Sequence, residues 1–175
     1  MASAFAHIAI PTVIYIAFKS KTLNYRVFLL AAVLSILPDA DVTAFQYGIP
    51  YESPWGHRGF THSLFFAACA ASFCTMFTTF LRSSRTTVFL FCFISCASHA
   101  FLDAMTNGGL GVAIAWPLDN HRYFLPFRPI EVSPVSIKAF FSEWGIRVIR
   151  SELLWVFLPA ASLSFAAIAI KHRGK

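Results

Sequence analysis

The 175 residues are 57% hydrophobic, 17% aromatic and only 13% charged, about half the charged share of a soluble domain. Such a chain cannot have water as its main solvent. The net charge of +6 is scattered as single or paired Lys and Arg between apolar stretches, without the basic stripe that tracks a phosphate backbone, which argues against a nucleic-acid partner.

The pattern predicts an all-α integral membrane protein, one domain with about five transmembrane helices. In chain order the segments are 2–18, 27–45, 63–81, 86–107 and 153–170, separated by junctions at 19–26, 46–62 and 82–85 and by a longer segment, 108–152. The first stretch, MASAFAHIAIPTVIYIAF, meets its first positive charge only at Lys19, so it reads as a retained membrane segment instead of a cleaved signal. Cys69, Cys74, Cys92 and Cys96 all fall in apolar runs and read as buried thiols, outside any metal site.

Orientation follows from the basic residues, because cytoplasmic loops retain Lys and Arg. Lys19, Lys21 and Arg26, then Arg82 and Arg85, then Lys171, Arg173 and Lys175 place the first junction, the third junction and the C-terminal tail inside. The 46–62 junction and the 108–152 segment are then outside. Trp55 and Trp116 are expected in the interfacial aromatic belt. The 108–152 segment is expected to form either a lid or, as we favour around Ile137 to Ile149, an amphipathic surface helix.

Ionisable groups inside apolar segments are costly and are usually paired, metal-bound or part of a pathway. Here they are His7 in the first segment, Asp39 and Asp41 in the second, and His99 and Asp103 in the fourth, with His57 and His62 in the outer junction. At about 1.5 Å per residue from the basic helix ends, His7, Asp39 and His99 lie at about 18, 20 and 21 Å, with Asp41, Asp103 and His62 at about 23 to 30 Å. All seven donors are therefore expected in one slab near the outer face. His99 and Asp103 are at i and i+4, on one helical face. Asp39 follows Pro38, where a helix kinks or ends, and Gly59 lets HRGFTHS fold back between its two histidines.

Mixed His and carboxylate donors point to zinc, with manganese or iron as alternatives. Seven donors exceed one tetrahedral ion, so two zinc ions are expected. Arg58 either binds a phosphate oxygen or pairs with Asp39 or Asp41. One of Asp39, Asp41 or Asp103 can instead act as proton acceptor, and Asp41 is the candidate taken here. His121, Arg122 and Arg128 can receive an anionic headgroup, although scattered surface charge explains them as well.

The motifs LPDAD, HRGFTHS and SHAFLDAMTNGG, in that order after a histidine in the first helix, resemble those of the YdjM-like family of membrane-bound metal-dependent hydrolases. Some of its members are LexA-regulated. The resemblance runs from about His7 to Pro126, with WPLDN at 116–120 as the Trp-Pro segment. It implies that Asp39, Asp41, His57, Arg58, His62, His99 and Asp103 are site residues, and its distant similarity to zinc-dependent phospholipases C implies a phosphoester. The resulting expectation is a metal-dependent hydrolase acting on a membrane lipid or lipid-linked headgroup, with no obligate protein partner. The alternative is a non-enzymatic protein that binds or transports divalent metal, and a metal that merely staples the helices is a third reading.

Overall fold

The computed structural model describes residues 1–173. It is all-helical: α1 Ala4–Phe18, α2 Tyr25–Ile36, α3 Leu64–Cys74, α4 Thr78–Leu81, α5 Arg85–Ala104, α6 Ile137–Phe140, α7 Glu143–Glu152 and α8 Leu158–Arg173. Two isolated bridges, Thr106 to Ile130 and Val112 to Tyr123, are the only extended pairings among the described residues.

Small polar residues start the helices. Ser3, Asn24, Ser63, Ser84 and Ser142 each accept an otherwise orphaned backbone N–H from the first turn, the usual reason such residues stand at a helix start. Four continuous helical stretches are long and apolar enough to cross a membrane: Tyr25–Tyr47, Leu64–Leu81, Arg85–Ala104 and Glu143–His172. The first helix is shorter. Its 15 residues span about 22 Å, less than a hydrocarbon core of about 30 Å.

Two stretches differ from the sequence expectation in an informative way. Beyond Ile36 the second span narrows into a 3₁₀ helix, Leu37–Tyr47, since Pro38 has no N–H to give and its ring disfavours a regular α turn. The last span, expected at 153–170, runs 30 residues from Glu143, because a single π turn at Leu153–Phe157 joins α7 to α8 without a break. The expected amphipathic stretch is therefore divided. Ile137–Phe140 is a separate short turn, and α7 is the N-terminal end of a membrane-length helix that buries Gly145, Val148 and Glu152.

Helix α5 is the hub, packing against α1, α2 and α3, while α8 packs on α1 and leaves nearly all of its own surface outward. The three basic regions meet at one end. Asn24 Nδ2 donates to the carbonyls of Leu81 and Arg82 at 3.0 and 3.1 Å, Ser83 Oγ to Thr22 O at 2.7 Å, and Lys171 Nζ to Ile16 O at 2.8 Å. The half of the bundle near that end is filled by Val27, Ala31, Leu34, Ala67, Ala71, Cys74, Val88, Phe91, Cys92 and Cys96. Cys69 is the exception among the thiols, facing outward from α3.

At the other end the irregular segment after α5 folds across the helix ends. Its backbone is tied down at Leu64 N to Ile114 O, 3.1 Å, at Ala113 N to Arg58 O, 3.0 Å, and at Leu125 N to Ala104 O, 2.9 Å. Trp55 and Trp116 pack edge to face at 5.7 Å with Phe60 beside both, and Trp55 stays more than half exposed, as suits an interfacial aromatic group.

Candidate metal centre

The donors come together beneath that cover. His7 lies one turn into α1, Asp39 and Asp41 on the 3₁₀ helix, His57 and His62 in the loop before α3, and His99 and Asp103 on consecutive turns of α5. In a 3₁₀ helix residues two apart diverge by about 120° around the axis instead of about 160° in an α-helix. Pro38 thereby lets both aspartates address one side.

Five of the seven donors face a common point. His99 Nε2 lies 3.3 Å from Asp39 Oδ1, 3.9 Å from Asp103 Oδ2 and 3.0 Å from His62 Nε2. His62 Nε2 is 3.6 Å from Asp39 Oδ1 and 3.4 Å from Asp103 Oδ2. His7 Nε2 is 3.5 Å from Asp103 Oδ1 and 3.8 Å from Asp39 Oδ2, and its ring stacks on His99 with centroids 3.7 Å apart. The His99 ring is set from behind, its Nδ1 2.8 Å from the carbonyl of Ser35. That bond fixes the tautomer, leaving the Nε2 lone pair pointed at the carboxylates.

The other two form an outer layer. Asp41 Oδ1 is 2.6 Å from His57 Nδ1. Its Oδ2 accepts from Arg58 N at 3.1 Å and Thr61 Oγ1 at 2.6 Å, and faces His62 Nδ1 at 3.2 Å. An imidazole held on one nitrogen by a carboxylate and aimed inward with the other is the usual second-layer support of a metal-binding histidine.

Arg58 is fully buried. Its Nη1 donates to Gly108 O at 3.0 Å, its Nη2 to Thr106 Oγ1 at 2.9 Å, and its Nε stands 3.2 Å from Asp103 Oδ2. The residue is held at φ +63°, a region unfavourable for a side chain that large, and the bond from its N–H to Asp41 secures it there. Gly109 makes room: at φ +88°, an added Cβ would meet Arg58 Nη1 at 2.8 Å. Arg122 also points inward, donating to the carbonyls of His57, Tyr51 and Ser53 at 2.8 to 3.0 Å. It pins the loop and is not open to a headgroup, whereas Arg128 stacks on Phe124 and His121 lies against Tyr123.

Several buried atoms here have no hydrogen-bond partner: both nitrogens of His7, both oxygens of Asp39 and Oδ2 of Asp103. Unmet polar groups in low dielectric are costly. Among the site's side chains three carboxylates face one guanidinium, so with the histidines neutral, as ligands must be, an excess of two negative charges is left for one divalent cation to balance. Asp39, His62, His99 and Asp103 each offer an atom within 4.8 Å of the others, as do Asp41, His57 and His62. The donor set fits a divalent metal, with His7 beside the first group, against the other oxygens of Asp39 and Asp103.

Sequence reasoning missed Thr61, Thr106 and the Ser35 carbonyl, which touch the donors without being donors. Thr61 and Thr106 lie inside the quoted motifs, and their placement beside His62 and three residues after Asp103 was the available signal. It also missed the chain start. Ala2 N donates to Asp103 Oδ1 at 2.6 Å, and the Met1 amino group stands 4.0 Å from Oδ2.

A helical bundle with membrane-length spans and a buried histidine–carboxylate cluster defines a polytopic membrane protein with a candidate metal centre. The model of the family described as YdjM inner membrane protein matches residues 1–174, well beyond the stretch that carries the motifs. The chain belongs to that family. It is also similar to the inner membrane protein YbcI of Escherichia coli (strain K12), 38% identical over 164 residues, covering 93% of this chain and 95% of the relative. No solved structure matches the chain.

Proposed function

We propose that this protein is a metal-dependent hydrolase acting on a phosphoester of a membrane lipid or lipid-linked headgroup. The observation that carries the metal is the convergence of the His62 and His99 Nε2 atoms and two carboxylates on one buried point, with His7 beside them and unpartnered oxygens among them. The lipid substrate is supported by the setting, a site at the end of membrane-length helices. The phosphoester is supported by the resemblance of the motifs to a hydrolase family and to zinc-dependent phospholipases C.

His7, Asp39, His62, His99 and Asp103 would hold the ion, zinc by donor type and manganese or iron as alternatives. When bound, it supplies Lewis-acid polarisation of a phosphoryl oxygen and lowers the pKa of water. Of these donors Asp39 keeps the most exposed side chain, at 10%, and marks the mouth of the site. Asp41 orients His62, and the His57–Asp41 pair is the proton-handling element. Burial pulls the His57 imidazole below its ordinary value, against the opposing pull of Asp41, so it is neutral and able to accept a proton. Arg58 has no exposed surface of its own, so it acts by balancing the charge of Asp103 and holding it in place.

One ion per chain is the stoichiometry this arrangement favours over the two that seven donors invite. Asp41 already accepts from His57, Arg58 and Thr61, and a second ion would have to displace those donors. Elemental analysis of purified protein should give about one metal per chain. Two would show that Asp41 and His57 are ligands.

Metal uptake should strengthen with pH. Burial lowers the His62 imidazole, but Asp103, Asp39 and Asp41 outweigh it and hold its pKa up at about 10. The ring thus carries a proton through neutrality, and a metal must expel that proton to bind. The apparent Kd for zinc should fall about tenfold per pH unit from pH 6 to 9, with proton release measurable in weakly buffered titrations. A flat profile would contradict proton–metal competition at this histidine.

The transport alternative has less support. Between the donors and the basic end, the buried polar side chains among the described residues are Ser35 and Ser95, with no acid, histidine or base, so no charged relay continues across. Metal-loaded protein in vesicles, assayed for released phosphate or headgroup from phospholipids and polyprenyl phosphates, decides between them. Sustained inactivity would favour a metal-binding protein.

The outer-face orientation rests on the clustered basic residues. With native cysteines removed, Glu52→Cys should react with an impermeant maleimide in intact cells and Ser83→Cys only after permeabilisation. The reverse pattern would invert the topology.

A further inference from the structure

We propose that Glu152 is a positioning residue of the metal centre, acting on it through Ser3; the inference rests on the metal-centre reading above. Glu152 ends α7, is 1% exposed, and is far in sequence from its partners. Its Oε1 accepts from Ser3 N at 2.5 Å and its Oε2 from Ser3 Oγ at 2.5 Å. A buried carboxylate with both oxygens engaged by one residue is a rigid clamp. It is not itself among the groups of donors that converge on a metal.

What Ser3 does next makes the clamp consequential. Its carbonyl accepts from Ala6 N at 3.0 Å and His7 N at 3.3 Å, so it begins the helix that presents His7. The adjoining Ala2 N–H meets Asp103 Oδ1 at 2.6 Å. Fixing one serine therefore sets the depth of His7 and supplies Oδ1 of Asp103 with its donor, touching two donors on different helices. Helix α1 is too short to be held by spanning the bilayer alone. The carboxylate at its N-terminus gives it a fixed height and a favourable interaction with the helix dipole.

The test uses cobalt(II) as the metal, whose visible absorption reports coordination geometry, titrated into full-length purified protein. Glu152→Ala should weaken cobalt binding by roughly 10–100-fold, the range for residues that support ligands from behind, and should change the intensity of the visible bands. Glu152→Gln, which still accepts from Ser3, should recover part of both. Should Glu152→Ala not yield folded protein, Ser3→Ala removes one of the two clamp bonds without leaving a buried charge unpartnered, and should shift the spectrum in the same direction. Wild-type affinity and spectrum in Glu152→Ala, or in Ser3→Ala where that variant is the one read, would overturn the inference while leaving the metal centre intact. Absence of cobalt uptake by the wild-type protein would overturn the metal centre itself, and the inference with it.

Discussion

Protein carrying His99→Ala together with Asp103→Ala should purify with its zinc lost, while His121→Ala retains wild-type content. The two residues are one turn apart on α5, and each touches several partners: His99 Nε2 faces Asp39 and His62, and Asp103 faces His7, His62 and Arg58. Removing both deletes two of five inward donors, so affinity should fall by more than the roughly 10–100-fold that changes behind the ligands cost. His121 lies in the segment after α5, against Tyr123, and serves as the control. The measurement is elemental analysis of detergent-solubilised protein after dialysis. Equal metal content in the double variant and the control would mean that the cluster is not a metal site.

The second large effect is on stability. Arg58→Ala should destabilise the protein by about 3–5 kcal/mol, the cost of leaving a buried charge without its partner. Asp103 would lose its guanidinium contact, and Thr106 and Gly108 would lose the donors that hold the outer segment against α5. Saturating zinc should restore part of the loss, since a bound cation would take over the compensation of Asp103 and stabilise by mass action. Thermal unfolding in detergent with and without metal reads both. Arg58→Lys should fall between, because an ammonium keeps the charge but cannot reach Thr106, Gly108 and Asp103 with one planar group. An Arg58→Ala protein as stable as wild type would show that the guanidinium is not a structural counter-charge.

The helices were legible because lipid imposes a simple rule: long apolar runs, with polar residues only where something meets them. That same rule picked out His7, Asp39, His99 and Asp103, whose placement in such runs has no other ready explanation. Counting residues from Lys19, Arg26 and Arg85 gave a common height, and the structure puts the imidazole nitrogens of His7 and His99 3.3 to 3.9 Å from the carboxylates of Asp39 and Asp103. The ordering into inner and outer donors was not legible. Whether Asp41 turns toward the common point or behind His62 depends on the 3₁₀ twist after Pro38 and on Thr61, and neither leaves a mark in hydropathy. Arg58 could not be assigned for a related reason, as its partners Thr106 and Gly108 lie about fifty residues on. Glu152 was not singled out, because it closes the 108–152 segment and α7 was not expected to continue into the last span. Its importance arises only from a contact with a residue at the opposite end of the chain.

The π turn between α7 and α8 carries a consequence of its own. A wide turn accommodates one residue more than regular winding, so deleting a single residue within Leu153–Phe157 would let the two halves fuse into an uninterrupted helix. Each residue contributes about 100° of rotation in regular winding, so the wide turn takes up the angle its additional residue would otherwise add, and Glu152 would keep facing Ser3 in the shortened helix. Rewound regularly without the deletion, the same residues would swing the carboxylate away from Ser3 by about that angle.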